Sequence, residues 1–194
     1  MAVIYFIRHG ETDWNVEGRT QGHLAVPLNE NGRGQAARNG RMLRDLLGDA
    51  AGFDFVASPL LRTRQTMEII RGEMGLPPME YRTDDRLKEI GRGNWAGYLR
   101  TELRQLFPVD SRAYEADWWN FVTPGAGGES FAMLSERVCG WFDAVKQDTV
   151  VVSHGGPMRC IRRRLLALDD DGSLRLDAPQ DKVMRIRDGE LSWF

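Results

Sequence analysis

Cysteine is scarce in this chain. The 194 residues contain two, Cys139 and Cys160, too few for a disulfide framework and without metal-ligand spacing. Both thiols read as small buried apolar residues, and a reducing, cytoplasmic setting is expected. Long apolar runs are missing as well. Nothing approaches the ~20 residues of a membrane span. The apolar start MAVIYFIRHG is too short for a secretory leader, lacks a basic opening and runs straight into charge. A strong excess of one charge is also absent: the formal net charge is -2, so no global pull toward nucleic acid or an anionic membrane exists, and neither partner is expected. Positive charge that matters must be local. With no repeats, linkers or low-complexity tracts, one domain over 1–194 is the natural expectation. The remaining composition, 42% hydrophobic and 28% charged, is that of an ordinary soluble globular protein.

What is present is an alternation of strand and helix patterns. Ala2–Ile7 is rich in β-branched and aromatic residues and too short for a helix, so it reads as a buried strand. A helix follows with Asn29 as its N-cap, apolar positions through Ala36, Met42, Leu43, Leu46 and Leu47, and Gly48 as its stop. FDFVASP reads as a second strand, ended by Ser58–Pro59, and LLRTRQTMEIIRGEMG as the helix opening from it. The pattern weakens from Pro77 to Pro124: a strand or turn enters a glycine-studded loop, RTELRQLF makes a short helix, and YEADWWNFVTPGAGGES reads as a lid. An amphipathic helix then begins near Glu129, with Phe131, Leu134, Val138, Trp141, Phe142 and Val145 on one side. DTVVVS is a strand, HGGPMRCIRRRLLAL a helix, and DKVMRIRDGELSWF a hairpin turning at Asp188–Gly189. This order predicts a three-layer α/β/α sandwich with a mostly parallel central sheet and a lid-like insertion at about 95–128.

Two of the three histidines occupy matching contexts. His9 in YFIRHG and His154 in VVVSHGG each follow a hydrophobic strand and precede glycine. In open α/β sheets, the carboxyl ends of strands line the ligand crevice. The strand FVASP delivers a third group, Arg62, to the first turn of the next helix. Three strand ends thus offer two imidazoles and two guanidiniums, Arg8 and Arg62, with helix N-termini adding donors. Guanidinium forks match phosphoryl oxygens, and imidazole can attack phosphorus. His23 has no such context and reads as a loop residue.

Arg8-His9-Gly10-Glu11-Thr12 with Trp14–Asn15, Ser58-Pro59-Leu60 with Arg62 and Gln65–Thr66, Glu89, and Ser153-His154-Gly155-Gly156 together resemble the histidine phosphatase superfamily, also called phosphoglycerate mutase-like. The likeness runs from residue 3 to about residue 165, and the ordered set of four motifs is far more specific than a bare RHG. The resemblance implies a two-step phosphoryl transfer, with His9 as nucleophile and a phosphohistidine that water then hydrolyses. Arg8, Arg62 and His154 would bind the phosphoryl oxygens with Asn15 and the Gly155 backbone, and Glu89 would serve as proton donor and then as base. Without the resemblance, Glu89 would be assigned to a solvated surface or an ion pair with Arg86 or Lys88. Glu11 and Thr12 would orient their neighbours rather than react.

Rival machineries lack their parts. No Arg stands six residues after either cysteine, where Val145 and Leu166 sit. GAGGES has no P-loop lysine, GRGQAA follows no strand, and the DDDG run at Asp169 lacks the alternation of a calcium loop. No metal and no other cofactor is expected. The mutases of the family are generally longer, with an Arg-rich segment for the substrate carboxylate and RHYG after the acidic residue. EIGRGNWAG stands here instead, which resembles small phosphatases. The reading is therefore a metal-independent phosphomonoester hydrolase acting on a small phosphorylated metabolite. Mutase-type transfer and a non-catalytic phospho-ligand binder are its alternatives, and monomer and homodimer fit equally. Trp118, Trp119 and Phe121 are the expected substrate lid. With Glu115 and Asp117 beside them repelling a second anion, they suggest a monophosphate with an apolar or ring-bearing body.

Overall fold

The structure is a computed structural model describing residues 2–194; Met1, where the expected domain begins, lies outside the described residues. Its centre is a six-stranded sheet in the order β3-β2-β4-β1-β5-β6. The strands are β1 (Ile4–Arg8), β2 (Asp54–Ala57), β3 (Arg82–Thr83), β4 (Thr149–Ser153), β5 (Val183–Arg187) and β6 (Glu190–Trp193). The first four run parallel, while β5 is antiparallel to β1 and forms a hairpin with β6. Asp188 and Gly189 both have positive φ, 51° and 82°, as the two-residue hairpin turn at that pair demands.

Alternation along the strands separates two cores. Ile4, Phe6, Val56 and Val151 face one side, where Leu134, Val138 and Trp141 of α6 (Phe131–Ala144) and Met158 and Ile161 of α7 (Gly155–Leu165) cover them. Tyr5, Ile7, Phe55, Val150 and Val152 face the other, under Leu43 of α2 (Glu30–Leu47) and Met67 and Ile70 of α3 (Leu61–Glu73). The result is the expected three-layer α/β/α sandwich. Full burial of each Ile, Leu or Phe here contributes about 1.5–3 kcal/mol.

Capping fixes the helix ends near the sheet's carboxyl edge. The Asn29 side chain accepts from Gly32 N at 2.8 Å and Ser130 Oγ from Met133 N at 3.2 Å, while Gly48 ends α2. Three short helices were not read from the sequence. The first, α1 (Asp13–Glu17), is closed by a Thr12/Asn15 capping box. The second, α5 (Pro108–Ala116), starts with its proline and follows the expected short helix α4 (Leu103–Leu106). The third, α8 (Asp170–Leu174), is capped by Asp169, so the DDDG run is a helix start.

Helix α2, the first long helix after β1, lies on one face of the sheet, and α7, which follows β4, lies on the other. Because β1 and β4 are neighbours with Arg8 opposite Ser153, a crevice opens between their carboxyl ends. That is where an open α/β sheet takes its ligand.

Candidate active site

Strand register brings the motif residues together. His9 N donates to Ser153 O at 2.9 Å and Ser58 N to Val152 O at 3.0 Å, continuing the β1–β4–β2 ladders by one residue. Arg8, His9, Ser58 and His154 therefore end three adjacent strands at the same level. The two imidazoles meet edge to face with centroids 5.1 Å apart, and both are buried, 2% and 0% exposed.

His9 is held in one tautomer. Its Nδ1 lies 2.7 Å from Gly10 O, so Nδ1 carries the proton and donates it. The lone pair is then on Nε2, which accepts from Arg62 Nε at 3.3 Å. Burial, followed by the charges of Arg62 and Arg8, holds His9 well below the ordinary imidazole range. His154 is lowered in the same way by burial, Arg62, His9 and Arg8. Its Nε2 meets Ser58 Oγ at 2.8 Å, and its Nδ1 is buried without a partner.

The two guanidiniums differ in freedom. Arg62, 1% exposed, also donates to Leu24 O at 3.1 Å and Gly22 O at 2.9 Å, so every nitrogen is tied. Arg8 donates from NH1 to Ala178 O at 2.6 Å and leaves Nε buried without a partner. Burial draws both down to about 10, still fully cationic near neutrality. Asn15 Oδ1 accepts from Thr12 N at 3.2 Å and Gln180 Nε2 at 3.2 Å, leaving its amide donors for the cavity it lines.

Glu89 is placed by glycine. A Cβ at Gly156 would collide with Glu89 Oε1, so the glycine at the start of α7 lets the carboxylate lie against that helix's first turn, 3.4 Å from Gly156 N. Its backbone is fastened by Arg137, which donates to Arg86 O, Lys88 O and Glu89 O at 2.7–2.9 Å and pairs with Glu129 at 2.8 Å. His23 adds a bond of 2.8 Å to Glu89 O. Arg86 and Lys88 pair instead with Asp84 and Asp85, which excludes the ion-pair reading of Glu89. Glu11 accepts from Asn29 and Asn31, and Thr12 Oγ1 accepts from Gln21 at 2.8 Å. Both orient the loop.

Arg8, His9, Asn15, Arg62, Glu89 and Gly155 line a cavity of about 80 Å³. Liquid water occupies ~30 Å³ per molecule, so the space suits one phosphoryl group. Among the described residues, no group of three or more His, Cys, Asp or Glu gathers where it could hold a metal ion. None of their helices is long and apolar enough to cross a membrane.

The Trp-rich segment departs from expectation. Trp118 and Trp119 pack on Phe131 with centroids 5.0 and 6.3 Å away, Trp118 reaches Asp171 in α8 at 3.4 Å, and Arg163 lies over Trp119 at 4.3 Å. Phe121 stacks on Trp95 at 5.5 Å. None of the three lines the cavity at His9 or the chamber of about 550 Å³ beside it, whose aromatic wall is Trp95, Tyr114 and Phe131. Adjacent tryptophans here fasten the insertion to the domain. Glu115, on the chamber wall, is paired with Arg104 at 2.6 Å, and Asp117, which lines neither space, accepts from the neutral amide of Asn120.

Fold and site together define a phosphoryl-handling α/β protein with histidine at its centre. The profile of the histidine phosphatase superfamily (branch 1) matches residues 4–192, and the chain belongs to that family. Phosphoserine phosphatase 1 of Hydrogenobacter thermophilus is 34% identical over 175 residues, 87% of this chain and 78% of that protein. A probable phosphoglycerate mutase, GpmB, of Salmonella paratyphi C is 32% identical over 206 residues, 100% and 88% of the two chains. The crystal structure of an α-ribazole phosphatase from Shigella flexneri superposes with a TM-score of 0.80 at 25% identity, covering 98% of this chain and 93% of that one.

Proposed function

We propose that this chain hydrolyses small phosphomonoesters through a phosphohistidine on His9. The observation that carries the reading is the orientation of His9. Its proton is committed to Gly10 O on Nδ1 and its lone pair is on Nε2, in a cavity the size of one phosphoryl group. In the first step Nε2 attacks phosphorus and the P–O bond to the leaving group breaks. The carboxyl of Glu89 delivers a proton to the departing oxygen. In the second step water loses a proton to Glu89 and attacks phosphorus; the P–N bond breaks and its electron pair returns to Nε2. Arg8 and Arg62 balance the charge on the three equatorial oxygens, where this chemistry gains most of its rate. A Ser58 hydroxyl donating to His154 Nε2 leaves the proton on Nδ1, free for an oxyanion. Asn15 supplies a neutral donor.

The phosphatase and mutase names of the relatives make phosphoryl transfer the shared activity, and hydrolysis is the branch proposed. Incubation with p-nitrophenyl phosphate, and separately with 3-phosphoglycerate plus bisphosphoglycerate, separates the two: release of inorganic phosphate supports hydrolysis, and isomerisation without release refutes it. His9→Ala is expected to abolish turnover with the fold intact, and acid-labile, alkali-stable phosphate should be trapped on His9. Phosphate on a serine, cysteine or aspartate would overturn the mechanism.

A further inference from the structure

The segment 176–180, between α8 and β5, carries no sequence motif, yet it runs beside the catalytic residues as a strap. Ala178 O accepts from Arg8 Nη1 at 2.6 Å, Leu176 O from Arg159 Nε at 2.7 Å and Asp177 O from Arg162 at 2.7 Å. Asn39 of α2, 0% exposed, donates from Nδ2 to Gln180 O at 3.0 Å and pins the end of the strap. All four acceptors are main-chain carbonyls. Gln180 adds a side chain that reaches the His9 loop itself. Its Nε2 donates to His9 O at 3.0 Å and to Asn15 Oδ1 at 3.2 Å, so both of its amide protons are engaged.

The direction of these bonds is determined by the backbone. A main-chain carbonyl only accepts, so the Gln180 atom facing His9 O is the nitrogen, and its second proton points at Asn15. Thr12 N, which only donates, meets the same Asn15 atom at 3.2 Å. Two obligate donors converge there, so that atom is the oxygen. Thr12 Oγ1, which accepts from Gln21 Nε2 at 2.8 Å and Asn15 N at 3.2 Å, turns its own proton to the same oxygen at 3.1 Å. The other end of the carboxamide, Nδ2, makes no bond among the described residues, and Asn15 lines the 80 Å³ cavity. Both Thr12 bonds come from the adjoining turn, whereas Gln180 reaches Asn15 from across the site. Without it, His9 O would be an unpaired acceptor close to Asn15, competing with a phosphoryl oxygen for the Nδ2 protons.

We propose that Gln180 is a positioning residue for phosphoryl transfer: by occupying both His9 O and Asn15 Oδ1, it holds the Asn15 carboxamide with its N–H donors toward the phosphoryl oxygens. The carbonyl of the nucleophilic residue sets the Gln180 amide, and the Gln180 amide sets Asn15. Asn15 in turn faces the group that His9 carries. A donor oriented in advance needs no reorganisation when charge develops on the equatorial oxygens, which is where such a bond contributes most. Gln180 itself is not among the residues lining the cavity, so it acts through Asn15 and touches no reacting atom. This inference deepens the hydrolase reading and rests on its placing of Asn15 against the phosphoryl group.

The test is a double-mutant cycle on p-nitrophenyl phosphate, whose leaving group needs little help from Glu89. Gln180→Met should lower kcat/KM about tenfold, less than the ~10²–10³ that outright loss of an oxyanion donor costs. Asn15→Ala should lower it at least as much. The double variant should fall no more than threefold below Asn15→Ala, because a residue acting through Asn15 then has nothing left to position. Gln180→Glu keeps the shape but sets a carboxylate against two acceptors, so it should lose at least as much as Gln180→Met. The strap's main-chain bonds do not involve the replaced side chains, and a role in packing alone predicts the reverse on both counts. Losses that multiply, a Gln180→Met protein within twofold of wild type, or a Gln180→Glu protein at wild-type activity overturn the inference and leave the hydrolase reading standing. Should none of the proteins turn over the ester, the hydrolase reading fails. Calorimetric titration of the same cycle with inorganic phosphate then decides the inference: the same threefold limit on affinity supports it, while multiplying losses or no binding to the wild-type protein refute it.

Discussion

At the residue scale, the site is a set of conflicts resolved by geometry. Gly156 shows this most directly. Its φ is not left-handed, so alanine would suit the helix as well or better; the obstacle is Glu89 Oε1, which the new methyl would strike, with Leu134 Cδ2 2.9 Å away on the other side. Gly156→Ala should therefore displace Glu89, the proposed proton donor, while leaving His9 and its arginines in place. Turnover of alkyl phosphates, whose leaving oxygen needs a proton, is expected to fall by about 10²–10⁴-fold. p-Nitrophenyl phosphate, with its stable anion, should lose much less. Glu89→Gln should show the same split. Parallel losses on both substrates in Glu89→Gln would mean that another group donates the proton. Of the five proposed reacting residues, Arg8, His9, Arg62 and His154 were legible in the sequence because each ends a strand or opens the element after one. Glu89, beyond the short turn Asp85–Leu87, was legible only through the family resemblance. Arg137 and Gln180 were not. Gln180 reaches His9 O at 3.0 Å from the segment before β5, and Arg137 reaches the Glu89 loop from the middle of α6. Such long-range bonds leave no local pattern.

At the scale of elements, strands and long helices follow their apolar period, and the insertion does not. β1 begins two residues later and ends one residue later than its apolar run suggests, and α6 begins after Ser130; these are ordinary boundary shifts. α1 and α8 have five residues each, too short for periodicity to register, and their caps are their only signal. The tryptophans were legible as a cluster, yet the direction they face depends on how the chain from Trp95 to Gly128 folds back over Phe131. Trp118→Ala with Trp119→Ala should consequently lower stability and leave specificity alone. Each ring is half-buried, so each change should cost roughly half of the ~3–5 kcal/mol of a fully buried Trp→Ala replacement. Denaturation should show the loss, while the KM ratio between a bulky aryl phosphate and glycerol phosphate stays constant. A selective rise in KM for the bulky ester would return these residues to the substrate site. Trp95→Ala and Tyr114→Ala, on the chamber wall, should produce that selective rise.

At the scale of the whole molecule, a chain with net charge -2 sets two buried histidines beside two buried guanidiniums, and this has a consequence for stability. His9 and His154 are buried next to Arg8 and Arg62, and both are held well below the ordinary imidazole range, by burial first and by the arginines second. In the unfolded chain both titrate near ~6.5. Above that pH, folded and unfolded states both carry neutral rings and the pair contributes no pH dependence. Below it, the unfolded chain takes up protons that the folded protein refuses, so stability falls as pH falls, by up to about 1.4 kcal/mol per pH unit for each histidine. The loss continues until the depressed folded values are reached. Carboxylates with lowered values, such as Glu129 beside Arg137 and Asp84 beside Arg86, act in the same direction but below about pH 4.5, so the two contributions are separable. Unfolding free energies from urea titrations at pH 7.5, 6.5, 5.5 and 5.0 should stay level between the first two and then decline. His9→Gln with His154→Gln should flatten the decline between 6.5 and 5.0. A wild-type protein as stable at pH 5.0 as at 7.5 would mean that the rings accept protons in the folded state, and the neutral nucleophile on His9 would lose its physical basis.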